Sequence, residues 1–214
     1  MEPLLLSFPF TGRWTVQNSP ANRVPSHGTH LFGTAYAIDF VAVDGHGRSA
    51  PPSFRSFFGT EPPEAFTGFG SPVLAPAAGT VAAVHDGEPD HEARRSPLSL
   101  AGYALTQRER VRRGPAGIAG NHVVLAVGTG RDLSYVLLAH LRRGSIAVSV
   151  GDSVSAGTPV GACGNSGNST EPHVHVQVTD SLDWERAAGL PLVFTHPATG
   201  EPWLPRNAAV FEVC

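Results

Sequence analysis

The segment STEPHVHVQV, residues 169–178, places two histidines on one face of a run that has the pattern of a β-strand. Side chains alternate along a strand, so His173, His175 and Gln177 face one way and the valines that follow each of them face the other. Valine favours strands and apolar surroundings, which predicts that its face packs in a core. The histidine face is then expected to meet water, a partner or a metal ion.

Histidine at this spacing can bind zinc. The chain has ten histidines, and neutral imidazole is the commonest zinc ligand in proteins, often joined by a carboxylate. A catalytic zinc has three protein ligands and a water whose pKa falls toward ~7. A His-x-His pair alone also suits an exposed polar face. The Gly/Asn/Ser turn before it, GACGNSGNSTEP, lets a backbone approach a ligand closely and favours the metal or catalytic interpretation.

The elements that must position these histidines are short strands. Apolar, β-branched runs recur between Gly, Pro, Asn and Asp, which is typical of a mainly β protein with little helix. We therefore expect residues 1–214 to form a single domain, rich in antiparallel β-sheet and carrying a groove. The predicted strands cover 35–43, 79–86, 122–127, 133–141, 159–164, 173–178 and 208–213.

Two long segments interrupt this pattern and are predicted to be loop insertions. Residues 44–70 are rich in Gly, Pro and Phe, and residues 87–119 contain a helix-like stretch from Leu98 to Arg113. Six arginines lie between Arg94 and Arg113, and a solvated face is the favoured interpretation of them. Loops of this length inside a compact domain tend to be functional or disordered.

Composition excludes several classes of protein. The net charge is −3, which gives no electrostatic reason to bind nucleic acid or an anionic membrane. The N-terminal residues MEPLLLSFPF have no basic residue and only a short apolar run, so we expect neither a signal peptide nor a transmembrane span there. The two cysteines, Cys163 and Cys214, do not make a disulfide framework, and whether they pair is open at this point.

Several motifs, in one order, resemble lysostaphin-type (LytM-like) zinc metalloendopeptidases. Residues 164–178, GNSGNSTEPHVHVQV, look like the family signature, in which a Gly/Ser/Thr turn and a Pro precede His-x-His. Residues 71–87 are similar to the family's strand-turn-strand, residues 120–167 follow its Gly-Asn, Ala-His-Leu and Gly-rich elements, and YAIDFV (36–41) resembles the strand that bears the metal carboxylate. Glu171 stands where the family usually has Gly, and its carboxylate is expected to affect specificity or a local pKa.

The resemblance implies roles by position. Asp39 and His175 would be ligands of one Zn²⁺ per chain, while His140 and His173 would be catalytic histidines that do not bind the metal. The residues themselves agree with this division, because a lone buried Asp within an apolar run is costly unless it is paired or metal-bound. No His-Glu-x-x-His motif is present, so a histidine is expected to move protons as general base and then acid.

The first histidine ligand is open between His27 and His30. His27 precedes Asp39 by twelve residues, which matches the longer-spaced members that the segment resembles. Pro25 restrains the chain just before His27, and Gly28 gives the backbone room to turn just after it. We therefore favour His27.

By resemblance, the protein is a zinc-dependent endopeptidase that hydrolyses peptide bonds in peptidoglycan stem peptides or cross-bridges. The alternative is a catalytically inactive domain of the same fold that binds cell-wall peptide or a partner protein. The resemblance suggests an extracytoplasmic location, although the chain shows no export signal. Zinc content and turnover of a peptide distinguish the two functions.

Overall fold

The computed structural model describes residues 2–96 and 114–214, and it confirms the mainly β prediction. The described residues form two short α-helices, α1 (Arg55–Phe58) and α2 (Gly114–Ala119), and 3-10 turns at Leu31–Tyr36, Pro63–Ala65 and Gly130–Asp132. The strands of the described residues are β1 (Leu4–Leu6), β2 (Gly12–Gln17), β3 (Ile38–Ala42), β4 (Pro72–Leu74), β5 (Gly79–His85), β6 (Asn121–Val127), β7 (Ser134–Leu141), β8 (Ser153–Val154), β9 (Pro159–Ala162), β10 (Val174–Thr179), β11 (Leu192–Thr195), β12 (Pro202–Trp203) and β13 (Val210–Val213).

An eight-stranded sheet in the order β13-β2-β3-β10-β7-β6-β5-β8 forms the centre of the fold. All its neighbouring strands run antiparallel, as expected. A small sheet, β1-β11-β12, contains a parallel pair, β1 and β11, which was not expected. The antiparallel pair β4 and β9 makes up the third sheet.

Each of the seven predicted strand runs contains an observed strand. The largest difference lies at the start of β3, where residues 35–36 belong to a 3-10 turn. Phe32 and Gly33 in that turn have φ values of 57° and 74°, and this left-handed backbone prevents the strand from extending backwards. Strands β1, β2, β8, β11 and β12 were not predicted. Four of them have only two to four residues, which is too short to show an alternation, whereas β2 has six and was also missed.

The valine face of β10 packs in the main core, as predicted. Val174, Val176 and Val178 are at most 1% exposed and belong to the same buried cluster as Trp14 and Phe40. A group of aromatic rings closes this core, with Phe8 stacked on Phe194 and Phe10 stacked on Trp14. The opposite face of β10 is therefore left for polar side chains.

The two insertions pack against each other. Glu61 and Ala93 exchange backbone hydrogen bonds of 3.0 and 2.7 Å, and Ala50, Phe66 and Ala93 form a small apolar cluster. Arg95 donates two hydrogen bonds of 2.8 Å to the buried carboxylate of Glu61. The solvated-face prediction is therefore wrong for Arg95, because a carboxylate buried in this position requires a charged partner. The predicted helix from Leu98 to Arg113 lies outside the described residues.

Two further expectations concern cysteines and membrane spans. Cys163 is buried, Cys214 is exposed, and both are free thiols. Within residues 2–96 and 114–214, no helix is long and apolar enough to cross a membrane.

Candidate metal centre

Strand pairing places the central residues of the site. β10 lies between β3 and β7, and His175 is directly opposite Asp39 on one side and Ala139 on the other. Residues directly opposite in an antiparallel sheet point to the same face, with Cβ atoms about 4.5–5.5 Å apart. His175 and Asp39 therefore meet on the face of the sheet that is opposite to the valine core.

A β-bulge turns His140 toward this face. Asn121 pairs with Leu141 and Val123 pairs with Leu138, so one residue of β6 spans two residues of β7. His140 has a φ of 62°, a left-handed value that is uncommon for a residue other than glycine. Bulges commonly re-aim a side chain beside a functional site. Regular alternation would have placed His140 on the core face, and its resemblance to a family position was the only sequence signal for it.

The bulge brings His140 beside the other histidines. Its ring centroid is 4.6 Å from that of His173 and 5.7 Å from that of His175. The described residues contain two groups whose potential ligand atoms all lie within 4.8 Å of one another, and His175 belongs to both. The groups are His27, Asp39 and His175, and His140, His173 and His175.

The structure brings His27, and not His30, to the carboxylate of Asp39. His27 Nε2 lies 3.1 Å from Asp39 Oδ2, whereas His30 is exposed at the start of the 3-10 turn. Ser26 anchors the loop that returns His27 to β3. The Ser26 backbone N–H donates to the Ala35 carbonyl at 2.9 Å, and its hydroxyl donates to the Ala37 carbonyl at 2.7 Å.

Gln177, on the side of His175 away from Asp39, determines which nitrogen of the His175 ring carries the proton. Gln177 donates its amide N–H to the Phe32 carbonyl at 3.0 Å and presents Oε1 to His175 Nε2, also at 3.0 Å. The Nε2–H of His175 therefore donates to Gln177, and the neutral ring keeps its lone pair on Nδ1. That lone pair points at Asp39 Oδ1, 2.8 Å away, which is also an acceptor. A proton or a metal ion between His175 Nδ1 and Asp39 Oδ1 would make this contact favourable.

His27 is arranged in the same way. The Ser26 hydroxyl proton is donated to the Ala37 carbonyl, so its oxygen accepts from His27 Nδ1, which lies 3.0 Å away. The lone pair on His27 Nε2 then points at Asp39 Oδ2. Asn18 Nδ2 donates to that same oxygen at 2.7 Å and orients the carboxylate. Metal-binding histidines have this kind of outer hydrogen bond, so His27, Asp39 and His175 could hold a metal ion.

Electrostatics at Asp39 agree with a cation site. Burial by itself raises the pKa of Asp39, but the neighbouring His27 and His173, with hydrogen bonds from His175 and His27, hold it well below its ordinary value. Burial by itself lowers the pKa of His175, and the hydrogen bond and charge of Asp39 outweigh it, so the pKa is raised. The carboxylate is thus ionised and attracts positive charge, which a proton on His175 and a metal ion would compete to supply.

His140 and His173 are oriented by backbone carbonyls. His140 Nδ1 donates to the Ser166 carbonyl at 2.9 Å, and His173 Nδ1 donates to the Glu171 carbonyl at 2.8 Å. Each neutral ring therefore has its lone pair on Nε2, and His173 Nε2 lies 3.6 Å from Asp39 Oδ1. Burial, and the repulsion from His173 and His175 when those rings are protonated, hold the pKa of His140 well below its ordinary value, so its ring is neutral.

Both insertions support the turn that orients these rings. From the second insertion, Asp90 Oδ1 accepts the backbone N–H of Asn165 at 2.7 Å, and His91 Nε2 donates to the Gly167 carbonyl at 3.0 Å. Glu171 Oε2 accepts a 2.7 Å hydrogen bond from Ser49 of the first insertion. The carboxylate that replaces the usual glycine of the family therefore ties the turn to an insertion.

Sequence reasoning missed the residues that orient the ligands. Gln177 was placed on the histidine face, but no role was assigned to it. Asn18 and Ser26 gave no signal, because their contacts depend on how two loops return to β3. His122, which was interpreted as structural, is buried on β6 and bonded to the Gly120 carbonyl at 2.7 Å.

The comparisons with known proteins point to peptidases. A model of Peptidase family M23 matches residues 102–185, which include His140, His173 and His175. This match confirms the resemblance to a family of peptidases and supports a hydrolase. No curated protein sequence matches the chain.

Similar solved structures include three M23 proteins. The catalytic domain of lysostaphin from Staphylococcus simulans is 19% identical, with 75% of this chain and 80% of that chain covered and a TM-score of 0.40. A variant of the catalytic domain of the prophage-encoded M23 protein EnpA from Enterococcus faecalis is 21% identical, with 72% and 73% covered and a TM-score of 0.39. The deep-sea M23 metalloprotease pseudoalterin is 12% identical, with 100% and 96% covered and a TM-score of 0.45.

Proposed function

We propose that the protein is a zinc-dependent endopeptidase of the M23 type, and that its substrates are peptide bonds in peptidoglycan stem peptides or cross-bridges. The observation that carries the proposal is the convergence of His27 Nε2 and His175 Nδ1 on the carboxylate of Asp39. Outer hydrogen bonds leave a lone pair on each of these nitrogens. The match to the peptidase family model supports the reaction class. The wall substrate rests on the sequence resemblance.

His27, Asp39 and His175 would hold the metal. Two neutral imidazoles and one carboxylate leave a zinc site with a net charge of about +1, since only the carboxylate carries a negative charge. When bound there, zinc supplies a Lewis acid for the scissile carbonyl and lowers the pKa of a bound water toward ~7. The other group that could hold a metal, His140, His173 and His175, offers only nitrogen ligands. The hydrogen bonds of His140 and His173 suit proton transfer better than metal binding.

His140 and His173 would move the protons. Each ring is held by a hydrogen bond from Nδ1 to a carbonyl, which leaves Nε2 as the acceptor. A neutral histidine in this position accepts a proton from the attacking water and returns it to the leaving amine. Until that proton passes to the leaving amine, the protonated ring also stabilises the negative charge that develops on the carbonyl oxygen. Proton transfer of this kind contributes about 10²–10⁴-fold in rate.

Digestion of purified peptidoglycan by zinc-loaded protein tests the proposal. New free amino groups should appear with the unaltered chain, and Asp39→Ala should lose both zinc and activity. The matched control is Asp44→Ala. Asp44 lies on the loop after β3, and its carboxylate accepts hydrogen bonds from the backbone N–H groups of His46 and Arg48 in that loop. Zinc binding without any release of amino groups would contradict the proposal and support the inactive, peptide-binding alternative.

A further inference from the structure

A small apolar pocket opens directly beside the candidate metal centre. His140 and His175 form one side of it, and its cavity volume is about 40 Å³. Its apolar walls are Phe32, Ile118, Ala119, Leu137, Ala139 and Trp184. No Asp, Glu, Lys or Arg side chain is among the described residues that line it.

The polar groups at the edge of the pocket already have partners. Both ends of the Gln177 amide are used, by the Phe32 carbonyl and by His175. The Thr34 hydroxyl donates within its own turn, to carbonyls at Thr29 and Leu31. A polar or charged occupant would therefore lose its hydrogen bonds to water and find few to replace them.

The walls come from separate parts of the fold that hold the space open. Leu137 and Ala139 belong to β7, while Ile118 and Ala119 form the end of α2, within the second insertion. Trp184 follows β10, and its ring centroid is 5.0 Å from that of the buried His122. This contact restrains the indole from folding into the pocket.

We propose that the pocket binds one aliphatic side chain of the peptide, carried by the residue next to the scissile bond. The proposal rests on the function proposed above, because the pocket shares His140 and His175 with the candidate centre. An apolar pocket in this place makes the enzyme prefer alanine or valine over glycine at the residue next to the scissile bond, and discriminate strongly against aspartate there. Ile118, Ala119 and Trp184 are then residues that determine specificity.

A panel of peptides that differ only at one residue beside the cleaved bond tests this selectivity. Each buried methylene should raise kcat/KM by about fourfold, so valine should exceed alanine and alanine should exceed glycine. Ala119→Phe fills the pocket and should remove the preference for valine over glycine, while cleavage of the glycine peptide falls less. Ala188→Phe is the matched control, because Ala188 is exposed and lies outside the pocket walls. Equal kcat/KM for glycine and valine in the unaltered enzyme would overturn the proposal.

Binding separates failure of this inference from failure of the proposed function. Trp184 reports on the pocket through its fluorescence, and Trp184→Phe identifies its share of the signal. If the zinc-loaded protein cleaves no peptide, the proposed activity is wrong, but the same peptides still bind in order of aliphatic size if the pocket acts as proposed. Equal dissociation constants for the glycine and valine peptides would overturn the inference by itself.

Discussion

His175 lies between two acceptors: its Nδ1 is 2.8 Å from Asp39 Oδ1, and its Nε2 is 3.0 Å from Gln177 Oε1. A neutral imidazole has one N–H, so it can donate to only one of them. The Gln177 amide is itself oriented by the Phe32 carbonyl, which gives the N–H of His175 to the glutamine. The nitrogen that faces Asp39 is then free to bind a metal ion.

Gln177→Met should weaken zinc binding by about 10–100-fold, the usual cost of losing an outer hydrogen bond to a metal ligand. Methionine has a similar length but cannot accept the N–H of His175. Competition with a zinc chelator measures the affinity. Gln17→Met is the control, because Gln17 bonds to Glu171 and not to a proposed ligand. Equal affinities in the two variants would show that Gln177 does not orient the metal site.

His27→Ala should lose zinc, and His30→Ala should keep it. The reason is position: His27 Nε2 is 3.1 Å from Asp39, whereas His30 is exposed. Elemental analysis of the two purified variants measures the difference directly. Loss of zinc in His30→Ala together with retention in His27→Ala would move the ligand to His30.

His140→Ala and His173→Ala should each reduce kcat by about 10²–10⁴-fold while zinc stays bound. Both rings are held by backbone carbonyls with Nε2 as the acceptor, which suits proton transfer. His196→Ala serves as the control, since His196 packs on Trp203 in the small sheet and lies away from the centre. A variant that loses zinc instead would show that its histidine is a ligand.

His122 should make the fold less stable in mild acid. Burial lowers its pKa to about 4, from an ordinary value of 6.5. The unfolded chain therefore binds a proton that the folded chain does not, so this contribution to stability is complete above pH ~6.5 and is lost as the pH falls toward ~4. Between pH 7 and pH 5 the loss is about 2 kcal/mol in the free energy of unfolding.

Denaturant unfolding of metal-free protein at these two pH values checks this prediction. His122→Phe should remove about that share of the pH dependence, whatever its effect on stability at pH 7. His46→Phe is the control, because it makes the same substitution at a histidine that is exposed on a loop. An unchanged difference between pH 7 and pH 5 in His122→Phe would refute the account of His122.

The strands of the central sheet could be predicted from the sequence, because alternation and turn residues are local signals. The association of Asp39 with His175 was expected from the family resemblance alone, because it depends on which distant strands pair. The face of His140 could not be predicted in this way. Its direction depends on a bulge against β6 and on a left-handed backbone, and neither leaves a pattern in the residues around it.

Contacts between distant loops were also beyond prediction. The return of His27 to Asp39 depends on two backbone carbonyls that bind Ser26. Arg95 looked like one of a group of solvated arginines, yet it pairs with Glu61 from the other insertion, 34 residues away. Which loops meet is decided by the whole fold, so the spacing of Arg95 and Glu61 gave no indication that they pair. For His27, the spacing favoured the residue but did not reveal the hydrogen bonds of Ser26 that return it to Asp39.

Titration of zinc into metal-free protein, with the rate of amino-group release from peptidoglycan as the readout, tests the central proposal most directly. The account predicts no release in the presence of a chelator, a rate that rises in proportion to added zinc, and a break at about one zinc per chain. Release by the metal-free protein, or no release at one bound zinc per chain, would contradict it.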